Sequence, residues 1–167
     1  MSLKPKGLPV KSSRGFGFET EVFGRSAEGT HPEYLEYSLA LSEVLVCQPF
    51  DWNPFSPRTK IGHSLYWHTK KHLGRLPLGL YVAVGTALDR YHHTDGLFYL
   101  GNPGADSDWL HPRRRVSIDL SIAKPGTMAN LRLERSDVTN GRLVRIGGAV
   151  AAYLLGHIPI DELRTIT

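Results

Sequence analysis

Two stretches decide how this chain folds: Thr94-Asp95-Gly96-Leu97-Phe98-Tyr99-Leu100 and Arg115-Val116-Ser117-Ile118-Asp119-Leu120-Ser121-Ile122. Both alternate in the manner of β-strands. The intervening Gly101-Asn102-Pro103-Gly104-Ala105-Asp106-Ser107-Asp108 is dense in turn residues. A hairpin pairing Gly101 with Arg113 places Asp95 opposite Asp119. Strand parity then sorts the side chains onto two faces. One face carries Phe98, Leu100, Val116, Ile118, Leu120 and Ile122, an apolar layer that reads as core. The other carries Asp95, Leu97, Tyr99, Ser117, Asp119 and Ser121. Carboxylates opposite each other across a strand pair lie roughly 4.5–5.5 Å apart at Cβ and repel, unless a cation or a proton compensates. Short oxygen ligands of this kind suit Mg²⁺ or Mn²⁺. The same pattern also fits two separate acidic surface residues, or one carboxylate acting as a cap.

Outward from the hairpin, the order of elements is mixed. Residues 1–15 are rich in Lys, Pro, Ser and Gly and read as an N-terminal arm, with one domain over 16–167. Phe16 to Phe23 alternates like a short strand. A helix is expected from His31 to Val46, with Thr30 as N-cap and Glu36 and Glu43 on one face. A Pro-rich aromatic loop spans Gln48 to Pro57, and a second helix is expected over Arg58 to Leu73. Leu78 to Ala83 reads as a strand or a short buried segment, and Asn130 to Glu134 as another strand. Gly141 to Leu155 reads as a helix with Gly147-Gly148 packed closely on the sheet, Gly156 as its C-cap and Pro159 as a stop. This order predicts an α/β or α+β sandwich around a mixed sheet.

The 167 residues, 41% of them hydrophobic, suffice to bury one substantial core. No apolar run approaches the roughly 20 residues of a membrane span, so no membrane association is expected. No apolar stretch follows the basic residues near Met1, so no secretory leader is expected. The single cysteine, Cys47, cannot form an intrachain disulfide, and a cytoplasmic location is expected. Cys47 ends an apolar run and reads as a buried core residue. The net charge of +4 permits a polyanionic partner. Its carriers include the clusters Lys70-Lys71 and Arg113-Arg114-Arg115, candidate contacts for a nucleic-acid backbone.

The run Asp95-Gly96-Leu97-Phe98, with the return strand Ile118-Asp119-Leu120-Ser121, resembles the PD-(D/E)XK nuclease superfamily. The resemblance covers roughly residues 31–155 and rests on a short motif. It implies the restriction endonuclease-like fold: one α/β domain with a mixed central β-sheet flanked by helices. In that family an Asp begins the second core strand, and an acidic residue and a Lys two positions apart lie on the third. Asp95 matches the first position and Asp119 the second. The implied metal shell is Asp95, Asp119 and the Leu120 carbonyl, completed by a helical Glu, here Glu43 with Glu36 as the alternate. The implied reaction is Mg²⁺- or Mn²⁺-dependent hydrolysis of phosphodiester bonds in nucleic acid, expected to be DNA. The Lys position is Ser121, which supplies no positive charge. A Lys from elsewhere (Lys124, Lys70 or Lys71) can replace it, the metal can suffice, or the fold serves as an inactive binding or assembly module. A homodimer is compatible with each.

Two further constellations involve histidine. His92 and His93 precede Asp95 closely, and His93 is placed in the catalytic set with Asp95, Asp119 and Ser121 as a proton donor or acceptor. His68 and His72 have the i, i+4 spacing of zinc ligands, with His63 as a possible third. They lack the Glu of a metalloprotease motif. No P-loop, dinucleotide-binding or serine-hydrolase motif occurs.

Overall fold

A computed structural model describes residues 13–24, 33–120 and 129–166. It shows a mixed α/β architecture with helices on both faces of a four-stranded sheet. The helices are α1 (Ser13–Phe23), α2 (Tyr37–Val46), α3 (Lys60–Lys70), α4 (Ala87–His92), α5 (Asn140–Leu154) and α6 (Ile160–Arg164). The strands are β1 (Leu78–Val82), β2 (Gly96–Leu100), β3 (Arg115–Asp119) and β4 (Leu131–Arg132). Sheet order follows chain order. β1 and β2 pair antiparallel, as do β2 and β3, whereas β3 and β4 run parallel.

The β2–β3 register is the one the alternation predicts. Gly96 lies opposite Ile118, Leu97 opposite Ser117, Phe98 opposite Val116 and Tyr99 opposite Arg115. One face of the sheet buries Leu80, Val82, Phe98, Val116, Ile118 and Leu131 under α1, α3 and α5. The other buries Tyr81, Leu97 and Tyr99 under Ala40, Leu41 and Val44 of α2 and Ala87 and Leu88 of α4. The acidic face is therefore interior, not solvated.

β1 is an edge strand, and unpaired edges invite aggregation. The aromatic loop after α2 covers this one. Leu80 N–H donates to the Pro54 carbonyl (2.8 Å), and Trp52 Nε1–H donates to the Leu80 carbonyl (2.8 Å). The Gln48 side chain acts as a surrogate strand: its Oε1 accepts from Val82 N–H (2.8 Å) and its Nε2 donates to the Val82 carbonyl (3.0 Å). The Tyr66 hydroxyl donates to the Leu78 carbonyl (3.1 Å). Every outward polar group of β1 from the Leu78 carbonyl to the Val82 carbonyl is thus satisfied, as buried backbone requires.

Several expectations are corrected. Residues 13–23 form helix α1, not a strand over Phe16–Phe23. Phe18, Val22 and Phe23 are buried at i, i+4, i+5, one helical face, and Gly24 (φ +77°) closes the helix in the left-handed region. The expected arm over residues 1–15 thus overlaps α1 from Ser13, and its residues 1–12 lie outside the described residues. The helix expected from His31 begins at Tyr37, with Glu36 at the N-cap position; Thr30, His31 and Pro32 also lie outside. Cys47 is exposed, because the chain leaves α2 there to bring Gln48 to β1. The helix expected to stop before Pro159 does so, α5 ending at Leu154 with Gly156 at φ +78°, and Pro159 is also the N-cap residue of a further helix, α6.

Gly147 packs against α3 and not against the sheet. A Cβ there would lie 2.5 Å from the carbonyl carbon of His68, so the glycine lets two helix backbones approach directly. Gly141, in the first turn of α5, faces open space. Gly147→Ala is expected to destabilise the protein by about 1–3 kcal/mol through overpacking. Gly141→Ala is expected to stabilise by up to about 1 kcal/mol through helix propensity. Urea denaturation midpoints test the pair; equal effects would contradict the packing account.

Candidate metal centre and its surroundings

α4 is an excursion between two paired strands, and its geometry delivers Asp95. Gly85 (φ +83°) turns the chain out of β1, and its N–H donates to Asp89 Oδ2 (2.7 Å). At the other end His93 adopts φ +52°, a left-handed helix cap rare for a residue with a side chain. Thr94 N–H then bonds the Leu88 carbonyl (3.3 Å), and Ala83 N–H donates to the Asp95 carbonyl (2.8 Å). The excursion closes where it opened, with Asp95 one residue before β2.

Asp95 meets the end of β3. Its backbone N–H donates to the Ile118 carbonyl (2.8 Å), one residue short of the partner the ladder register assigns. Its carboxylate Oδ2 accepts the Leu120 N–H (2.7 Å). Asp119 lies between those two contacts, and strand alternation puts it on the face of Ser117. Asp95 and Asp119 are each 4% exposed. The structure thus brings the two predicted carboxylates to one end of the β2–β3 pair. Leu120 is at the same place through its backbone. Ser121 and Lys124 lie outside the described residues.

Glu43 stands half-buried on α2, over this face of the sheet, while Glu36 is exposed at the N-cap of that helix. Among the described residues, no group of three or more His, Cys, Asp or Glu side chains is arranged to hold a metal ion. The predicted set Asp95, Asp119 and Glu43 therefore does not form a completed shell. His68 is also engaged: its Nε2 bonds Asn140 Oδ1 (3.3 Å), where α3 meets α5. His63 is exposed.

The expected basic clusters have internal partners. Lys70 Nζ donates to the Gly74 carbonyl (2.9 Å) and to that of Leu76, closing the turn after α3. Lys71 is exposed, but α3 packs on the opposite side of the sheet from the carboxylates. Arg113 lies over the Tyr153 ring, 5.5 Å from its centroid, and donates to the Tyr153 and Ile158 carbonyls (3.3 Å each). Arg114 pairs with Asp108 (2.8 Å) and bonds the Leu100 carbonyl (3.0 Å). The Arg114 guanidinium holds the Asp108 carboxyl below the usual carboxylate range, chiefly through that hydrogen bond. Arg115 donates to the Tyr37 hydroxyl (3.2 Å) and lies over its ring. These arginines also sit at the far end of β3, about 13 Å from Asp119 at the usual strand rise.

Ser117 is committed as well. Asn130 Oδ1 lies 3.2 Å from both Ser117 N and Oγ, and Asn130 N–H donates to Ser117 Oγ (2.9 Å), extending the β3–β4 junction. Burial of the Tyr81 hydroxyl, with Tyr99 beside it, pushes its pKa up to about 12.

One cluster escaped sequence reading. Tyr34 packs edge-to-face on Tyr91 (centroids 5.4 Å) and beside His92 (5.9 Å). Tyr37 packs edge-to-face on His92 (5.3 Å). Its two halves are distant in sequence, and a bond from His92 Nε2 to the Leu35 carbonyl, 57 residues away, joins them, so no local pattern signals it.

A scan against protein-family models and searches of curated proteins and of solved structures return no match.

The Asp95–Leu120 bond yields a stability test. Asp95→Ala leaves a buried N–H without that acceptor and is expected to cost about 1–3 kcal/mol. Asp95→Asn keeps an acceptor oxygen and is expected to cost less. Thermal or urea denaturation in EDTA distinguishes them; an Ala variant as stable as wild type would refute the anchoring role.

Proposed function

We propose that the Asp95–Asp119 end of the β2–β3 pair binds a divalent cation and that the protein hydrolyses phosphodiester bonds in nucleic acid, DNA being the expected substrate, in the cytoplasm. The observation that carries this reading is the convergence of two buried carboxylates on adjacent strands. The order of elements also supports it: α2 and α3 precede the sheet, Asp95 enters the second strand and Asp119 ends the third. That is the placement the restriction endonuclease-like resemblance implies.

The donor set fits a hard cation in part. Asp95, Asp119 and the Leu120 carbonyl supply oxygen ligands, and Mg²⁺ habitually retains several waters. Glu43 on the covering helix is the further carboxylate of the proposal. A bound Mg²⁺ or Mn²⁺ supplies charge neutralisation and an acidified water. The Leu120 N–H fixes the Asp95 carboxylate. His93, exposed at the mouth of α4, is the group assigned to move a proton. Ser121 supplies a hydroxyl and no charge where the motif has Lys.

A second reading has its own support. Both carboxylates are nearly inaccessible, and Asp95 already serves as an internal acceptor. On this reading the fold is an inactive nucleic-acid-binding or assembly module. Incubation of supercoiled plasmid and single-stranded DNA with Mn²⁺ separates the two. The hydrolase reading expects cleavage by wild type and a loss of roughly hundredfold or more in Asp119→Ala, about 2.7 kcal/mol of barrier. No cleavage by wild type, with salt-sensitive DNA binding, would establish the inactive module instead.

A further inference from the structure

The aromatic cluster beside Asp95 has the composition of a base-stacking platform. Tyr34 is 65% exposed although its ring is held against Tyr91 and His92. A large aromatic held in place yet open to water presents a π-face at little entropic cost. Below it, Tyr37 is fixed by His92 on one side and by the Arg115 guanidinium, 5.3 Å from its ring centroid, on the other. His92 is fixed in turn by its bond to the Leu35 carbonyl (2.9 Å). The cluster is therefore rigid beneath and exposed above.

Charge and position add to this. Arg90 and His93 are exposed and flank Tyr91 and His92 in sequence. Glu33 and Glu36 are exposed on the Tyr34 side, so a polyanion is favoured along α4 and not along the start of α2. His92 precedes Asp95 by three residues, which a chain spans in at most about 11 Å. His93 holds its left-handed conformation (φ +52°) between the platform and the carboxylate, a strain of the kind that clusters at functional sites.

We infer that Tyr34, backed by Tyr91 and His92, binds single-stranded nucleic acid by stacking an unpaired base on its exposed ring while Arg90 and His93 face the phosphates. Duplex DNA hides its base faces and cannot use such a platform, whereas single strands stack on aromatics with little sequence preference. The inference rests on the reading of the protein as acting on nucleic acid, and it specifies the strand form.

Fluorescence anisotropy in EDTA, with labelled oligothymidylate and a labelled hairpin duplex, tests it without involving cleavage. Wild type is expected to bind the single strand more tightly than the duplex. Tyr34→Ala is expected to weaken single-strand binding about tenfold, within the range of one lost base stack. Tyr34→Phe, which keeps the ring, is expected to retain affinity. Tyr34 is exposed, so folding survives its replacement, and circular dichroism checks this. Equal affinity for both strand forms, or unchanged affinity in Tyr34→Ala, would overturn the inference even in a protein that cleaves. Tyr34-dependent single-strand binding by a protein that never cleaves would support it and remove only the hydrolase reading.

Discussion

Everything at the candidate centre depends on the pairing of β2 with β3 in one register, Gly96 opposite Ile118. Side chains alternate with a period of two, so a slip of one residue would exchange the faces of a strand. It would carry Phe98, or Val116 and Ile118, away from the core beneath α3 and α5 and bring Leu97 or Ser117 into it. The apolar layer thus enforces the register, and the register places Asp95 beside Asp119. Asp95 and Asp119 are thus brought to one end of the strand pair by hydrophobic burial on the opposite face of the same strands. The closed excursion of α4 adds a second constraint, because the bond from Ala83 N–H to the Asp95 carbonyl fixes where the chain re-enters the sheet.

That constraint explains what was legible in the sequence. The hairpin, its register and its two faces follow from strict alternation around a turn-rich loop, signals that are local and strong. α5 is legible from its apolar stripe at helical spacing and its Gly156 cap, whereas β1 and α3 are signalled more weakly. Residues 16–23 are not legible, because Phe18 and Val22 fit a period of two as well as one face of a helix, and only packing on α3 decides. There Gly62 comes close to the Val22 carbonyl, and the Thr59 hydroxyl bonds that carbonyl. Cys47 was misread because its exposure follows from a long-range need: Gln48 must reach the open edge of β1.

The site was only partly legible. Carboxylates on one face can be counted from parity, but what covers that face cannot. Here apolar residues of α2 and α4 pack over Tyr81, Leu97 and Tyr99, and both aspartates are 4% exposed. The partners of Arg113, Arg114 and Arg115 were equally invisible. A run of three arginines reads as a phosphate clamp, yet each guanidinium answers a structural demand: the carbonyls after α5, the Asp106–Asp108 loop, and Tyr37 at the start of α2. Tyr34, Tyr91 and His92 converge from distant segments with no shared motif. They leave the aromatic and basic surface near Asp95 to α4 and the lead-in to α2, elements that composition alone passes over.

The central claim is that burial on one face of the sheet builds a cation site on the other. Titration of metal-free protein with Mn²⁺ by isothermal calorimetry tests it most directly. The account predicts a saturable binding event in wild type that Asp95→Asn and Asp119→Asn each abolish while both variants remain folded. Heat from wild type no different from that of Asp119→Asn would contradict it.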